Sequence, residues 1–83
     1  MKIAVLGPGC AKCERLYAEA EKAIAASGVA ADLVKVEKID EIVAYGVMVT
    51  PALVIDGKVV MSGRVASSGD IVKLMTAAAA KKG

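Results

Sequence analysis

The chain contains no histidine, no tryptophan and no phenylalanine, and its aromatic residues stop at Tyr17 and Tyr45. Two cysteines and no histidine cannot supply a four-ligand zinc site within one chain, so only a site sharing four thiolates across a dimer would remain. The scarcity of large rings means that the core must come from small aliphatic side chains, since 57% of the 83 residues are hydrophobic and many of these are alanine. Charge of one sign is missing as well: 11 basic residues face 9 acidic ones, for a net charge of +2, with no dense Lys/Arg stripe to neutralise a run of phosphates. Long apolar runs are absent. Ile3 to Leu6 is far shorter than the core of a signal peptide, and no segment approaches the roughly 20 apolar residues needed to cross a bilayer. These absences lead to the expectation of a cytoplasmic protein with no nucleic acid and no membrane partner, folded as one domain over residues 1–83 and acting as a monomer. In a reducing cytoplasm two cysteines are a poor permanent staple, so their spacing calls for a chemical explanation.

What is present reads as a short α/β chain. Lys2 to Leu6 is a β-branched apolar run stopped by Gly7-Pro8-Gly9, which predicts a buried strand feeding a tight turn. Ala11 to about Ser27 is rich in helix formers, with Cys13, Leu16, Tyr17, Ala20 and Ile24 on one face and Gly28 at the end. Asp32 to Glu37 has strand content. Asp40 to Tyr45 predicts a short helix capped by Asp40 and ended by Gly46. Ala52 to Ile55 and Lys58 to Met61 are apolar runs joined by Asp56-Gly57, a strong hairpin signal because the favoured turn needs positive φ at both central residues. Ser67 and Asp70 then resemble a capping box before Ile71, Leu74, Met75 and Ala78, with Lys81 and Lys82 at the end where the helix dipole favours cations. The order β-α-β-α-β-β-α implies a parallel pair at the start and an antiparallel hairpin later, hence a four-stranded mixed sheet with helices packed on it.

The chemistry concentrates in Cys10-Ala11-Lys12-Cys13. Two cysteines three apart at a helix start bring their sulfurs close enough for a reversible disulfide. Cys10 falls at the helix cap, where unpaired N–H groups and the positive end of the dipole stabilise a thiolate, and Lys12 adds a nearby cation. Cys13 lies one turn in, on the face of Leu16 and Tyr17, and should be more sheltered. An exposed low-pKa sulfur followed by a sheltered one suits disulfide exchange: Cys10 attacks, a mixed disulfide forms, and Cys13 resolves it. Met48, Met61 and Met75 read as core filler, Tyr17 and Tyr45 as packing residues with the hydroxyl at the edge, and Arg64 as a solvated loop residue.

Strand, Gly7-Pro8-Gly9-Cys10-Ala11-Lys12-Cys13, long helix, and then Val49-Thr50-Pro51 before an apolar strand and the Asp56-Gly57 hairpin resemble the thioredoxin/glutaredoxin family, closest to its small redox-active disulfide proteins. The resemblance covers nearly the whole chain. It implies a thioredoxin-like fold, thiol-disulfide oxidoreductase activity on protein or small-molecule disulfides, a thiol reductant or reductase that restores the dithiol, and no cofactor. It also implies that the Thr50–Pro51 bond is cis, that Pro51 lies against the disulfide, and that the backbone of Thr50 pairs with an extended substrate segment. The chain departs from the family pattern in carrying Gly9 where a Trp is usual, Lys12 where many members have Pro, and Ala4 where many thioredoxins have a buried carboxylate. Ser62-Gly63 with Ser68-Gly69-Asp70 only loosely matches the glutathione-binding pattern of glutaredoxins. A second function class shares the first half of the chain. Copper chaperones also begin with a strand, a Gly loop, Cys-x-x-Cys and a helix, and two thiolates suit Cu(I). In those carriers the first helix is followed by two strands, a helix and a strand, whereas here Thr50-Pro51, a hairpin and a terminal helix follow.

Overall fold

The computed structural model describes residues 1–9 and 11–80. Its elements run β1 (Lys2–Leu6), α1 (Ala11–Ser27), β2 (Asp32–Val36), α2 (Ile39–Ala44), β3 (Ala52–Ile55), β4 (Lys58–Ser62) and α3 (Ser68–Ala80). This is the α/β order expected from the sequence, and the four strands form one mixed sheet in the order β2-β1-β3-β4. Lys81 and Lys82, expected to close the last helix, lie outside the described residues.

Strand β1 is the centre of the assembly. It pairs parallel with β2, Lys2 opposite Asp32 through Leu6 opposite Val36, and antiparallel with β3, Ile3 opposite Ile55 through Leu6 opposite Ala52. As the inner strand of a sheet covered on both faces it can be apolar on both, and Ile3, Ala4, Val5 and Leu6 are all buried. The period of two then divides the core. Ile3, Val5, Leu53 and Ile55 point to one side, where Leu16, Ala20 and Ala23 of α1 and Ile71 and Met75 of α3 cover them. Ala4, Leu6, Ala52 and Val54 point to the other, where Ile42 and Val47 cover them.

The local signals that shape this sheet are specific. Asp56 and Gly57 carry φ of +50° and +82°, as the tight hairpin requires, and Asp56 also fastens the start of β1: the Lys2 N–H donates to its Oδ1 at 2.9 Å and its own N–H donates to the Lys2 carbonyl at 2.8 Å. In the hairpin Leu53 faces Met61 but Val54 faces Val59, so Val60 is the extra residue of a bulge. Ser67 caps α3, its Oγ accepting from the Asp70 N–H at 3.3 Å. The expected cap of α2 is corrected by the structure. That helix starts at Ile39, its cap position is Lys38 with no side-chain bond, and Asp40 sits inside the first turn, where its charge meets the dipole rather than closing the end. Gly46 follows the helix with φ of +81°, the left-handed conformation that ends it. The reading of methionine as core filler holds for the buried Met61 and Met75 and fails for Met48, which is 97% exposed beyond α2.

Helices α1 and α3 share one face of the sheet and are tied by a carboxylate. Glu19 Oε1 accepts from the Ser68 N–H at 2.9 Å at the start of α3, and Oε2 meets Lys22 Nζ at 3.3 Å. Both contacts favour the ionised form, the backbone hydrogen bond first, and hold the Glu19 carboxyl below the ordinary glutamate range. A carboxylate with a lowered folded-state pKa stabilises the fold at pH above the ordinary value and loses that contribution as pH falls through the lowered one. Glu19→Gln is therefore expected to reduce the thermal midpoint at neutral pH, and the gap to the wild type should close as pH falls below about 4.3, as followed by thermal melts across a pH series.

Candidate functional site

At the end of β1 the chain continues into Gly7-Pro8-Gly9, and the Gly7 N–H extends the β1–β2 ladder by donating to the Val36 carbonyl at 2.9 Å. On the other side the Leu6–Ala52 pair is the last of the β1–β3 ladder. One step beyond it lie Gly7 on one strand and Pro51 on the other. Antiparallel pairing thus brings the glycine loop before α1 and the segment before β3 to the same end of the sheet. The Thr50–Pro51 peptide is cis, Pro51 is buried and Thr50 half-buried. The Pro51 carbonyl accepts from the Gly63 N–H at 2.8 Å, which anchors this segment to the end of β4. Gly63 has φ of +80°, and a Cβ there would lie 3.1 Å from Val49 Cγ1, so a side chain would press on the residue before Thr50.

Cys13 stands in the first turn of α1 on its inward face, 3% exposed and disulfide-bonded. Its side chain rests directly on Gly7. A Cβ added to Gly7 would overlap the Cys13 sulfur and lie 2.8 Å from the Cys13 Cβ. Gly7 thus leaves the space that the sulfur fills. The sequence marked Gly7 only as part of a turn, because nothing in a linear pattern reveals that a helix one loop later lowers a sulfur onto it. Lys12 is exposed on the same turn, and Cys10 lies outside the described residues. Of the residues singled out by the sequence, the fold therefore brings Cys13, Thr50 and Pro51 to one end of the sheet, with Lys12 on the helix turn above them.

Two further features surround this end. An open groove of about 530 Å³ runs from Pro8 to Thr50 past Ile39, Ile42, Val43, Val47 and Met48. Its rim is apolar yet solvent-facing, with Ile39 61% and Val43 62% exposed. The second feature is the side chain of Glu37, just past β2, whose Oε2 would be 3.3 Å from a Cβ on Gly9. Ala4 is buried, and among the described residues no charged side chain is, so no interior carboxylate stands ready for the Cys13 proton. Among the described residues no group of three or more His, Cys, Asp or Glu side chains is arranged to hold a metal ion. No described helix is long and apolar enough to cross a membrane.

Comparison with known proteins bears on what this site does. A family profile described as a thioredoxin domain matches residues 1–76. A thioredoxin of Methanothermobacter thermautotrophicus is 37% identical over 76 residues, covering 92% of this chain and 99% of that protein. A thioredoxin of Methanocaldococcus jannaschii is 36% identical over 69 residues, covering 83% of this chain and 79% of its own.

The Gly7–Cys13 contact yields a direct test. Gly7→Ala forces either the sulfur or the end of β1 to move, at an expected cost of about 1–3 kcal/mol for an overpacked interior. Denaturant melts should show that loss, and alkylation of the reduced protein should modify Cys13 faster than in the wild type. An unchanged melt with an unchanged alkylation rate would mean that the contact does not hold Cys13 in place.

Proposed function

The chain belongs to the thioredoxin family and is a thiol-disulfide oxidoreductase, and from that premise we propose that its redox pair is Cys10 and Cys13. The observation that carries this reading is the buried, disulfide-bonded Cys13 sulfur packed on Gly7 in the first turn of α1, in a chain whose one other cysteine stands three residues earlier. Cys10 directly precedes the first residue of α1, a position where free N–H groups and the helix dipole favour a thiolate, and Lys12 adds positive charge.

In the reductive direction the Cys10 thiolate attacks one sulfur of a client disulfide. A bond forms between Cys10 and that sulfur, the client S–S bond breaks, and the departing client thiolate takes a proton from water. Cys13, deprotonated by solvent since no interior carboxylate stands among the described residues, then attacks the Cys10 sulfur and releases the second client thiol. The client gains two electrons and the protein becomes the Cys10–Cys13 disulfide. A dithiol reductant or reductase returns it to the reduced form by the same exchange in reverse. Thr50, beside Pro51, offers backbone to an extended client segment, and the apolar groove from Pro8 to Thr50 accepts a hydrophobic side chain of that segment. A protein disulfide fits this surface better than a bare small molecule, and a cytoplasmic monomer is the working form. The copper-carrier alternative is less well supported, since the observed order after α1 is strand, helix, hairpin, helix rather than the carrier order.

Replacing Cys13 with Ser should leave a mixed disulfide with client trapped through Cys10, whereas Cys10→Ser should trap nothing, with adducts read by mass spectrometry. The opposite pattern would reverse the roles. For the groove, Ile39→Glu is expected to lower kcat/KM for a protein disulfide roughly tenfold, the effect of about 1.4 kcal/mol of lost transition-state binding, while leaving a small disulfide such as a bis-nitrobenzoate little changed. Equal losses on both substrates would remove the groove from client recognition.

A further inference from the structure

Glu37 follows β2 directly, and because β2 runs parallel to β1 it emerges at the same end of the sheet as Gly7-Pro8-Gly9. The Val36 carbonyl before it holds the Gly7 N–H, so the two loops leave the sheet side by side. Its carboxylate leans over the glycine loop, with Oε2 only 3.3 Å from where a Cβ on Gly9 would sit, and Gly9, at φ of +93°, is bonded directly to Cys10. The other charges on the elements around this loop include Lys12, Glu14 and Arg15 at the start of α1, Lys38 before α2, and Asp40 and Glu41 in the first turn of α2, while Lys2 and Asp32 lie at the opposite ends of β1 and β2. Lys35 of β2 is engaged elsewhere, its Nζ lying 4.8 Å from the centre of the Tyr17 ring.

We propose that Glu37 is a tuning residue for the redox pair, a carboxylate held over the residue before Cys10 that opposes the stabilisation of the Cys10 thiolate by Lys12 and the α1 dipole. The proposal rests on the assignment of Cys10 as the nucleophile. Its consequence is chemical. A nucleophile with too low a pKa is mostly ionised but intrinsically weak, and its disulfide is strongly oxidising; a nearby carboxylate raises the pKa toward ambient pH and makes the dithiol a better reductant. Glu37 is exposed, so its effect is moderate and screened by salt.

The test is a titration of the reduced full chain, following the rate of Cys10 alkylation by iodoacetamide against pH. Glu37→Gln is expected to lower the apparent pKa by about half a unit, so that about threefold more thiolate is present below it. At pH above the thiol pKa the same change should shift the dithiol–disulfide equilibrium about threefold toward the dithiol in a glutathione buffer. The difference between variant and wild type should shrink as ionic strength is raised from about 0.02 M to about 0.5 M, and Glu37→Asp should retain most of the wild-type behaviour. Glu41→Gln, which removes the same charge from α2, should leave the titration unchanged. A Glu37→Gln titration within 0.1 unit of wild type, or an equal shift from Glu41→Gln, would overturn the proposal. These outcomes are separable from a failure of the underlying assignment: if the Cys13→Ser variant traps no client through Cys10, the nucleophile is wrong and the role of Glu37 falls with it, whereas normal trapping with an unshifted titration removes Glu37 alone.

Discussion

Everything at the functional end of this molecule depends on β1 being paired on both edges. Its ladder with β2 is parallel, its ladder with β3 antiparallel, and both run out at Leu6, opposite Val36 and Ala52. Three segments remote in sequence therefore leave the sheet together: the glycine loop into α1, the turn from β2 into α2, and the approach of Thr50-Pro51 to β3. Backbone hydrogen bonds such as Gly7 to Val36 and Gly63 to Pro51 hold these positions, beside an interior that buries no charged or polar residue among those described.

The same strand explains how a small chain with few aromatics makes a core. Alternate residues of β1 and β3 feed opposite faces, so Ile3, Val5, Leu53 and Ile55 meet α1 and α3 while Ala4, Leu6, Ala52 and Val54 meet the smaller side under α2. The faces are unequal. The one under two helices is thick and holds Leu16, Ile71 and Met75; the other is covered by a helix of six residues whose Ile39 and Val43 remain outside. That thin cover leaves an apolar surface beside Thr50, and the proposed client groove occupies it. The thicker packing lies on the α1–α3 side and the proposed recognition surface on the α2 side. The sulfur of Cys13 is buried in the first turn of α1 and packed onto Gly7.

Much of this was legible in the sequence because its signals are local. Lys2 to Leu6 has the continuous apolar character of a strand buried on both faces, Asp56-Gly57 names its own turn type, and Ser67 with Asp70 marks the start of α3. The Cys-x-x-Cys spacing and the Thr50-Pro51 pair also point to one end of a thioredoxin-like sheet. Other features depend on tertiary neighbours and leave no linear trace. Asp40 looks like a cap until Ile39 is drawn into the helix and the cap position falls on Lys38. Met48 has the composition of a core residue, but the short α2 ends before it and nothing lies above it. Gly7 reads as one glycine of a turn, and its essential smallness becomes visible only when α1 lowers Cys13 onto it. Glu37 likewise reads only as the last residue of the Asp32 to Glu37 strand run, and its nearness to Gly9 follows from the parallel register of β1 and β2, which no spacing of residues encodes.

The central claim is that the end of the sheet carries one reversible two-electron couple formed by Cys10 and Cys13. The most direct measurement is an equilibrium titration of the protein against a graded thiol-disulfide redox buffer, quenched with an alkylating agent and read by mass. The account predicts a single transition between a species with two alkylated thiols and one, lighter by two hydrogens before alkylation, that takes up no alkyl group and carries no intermolecular adduct. Two alkylatable thiols persisting across the whole range of the buffer, or oxidation only to a dimer linked between chains, would contradict it.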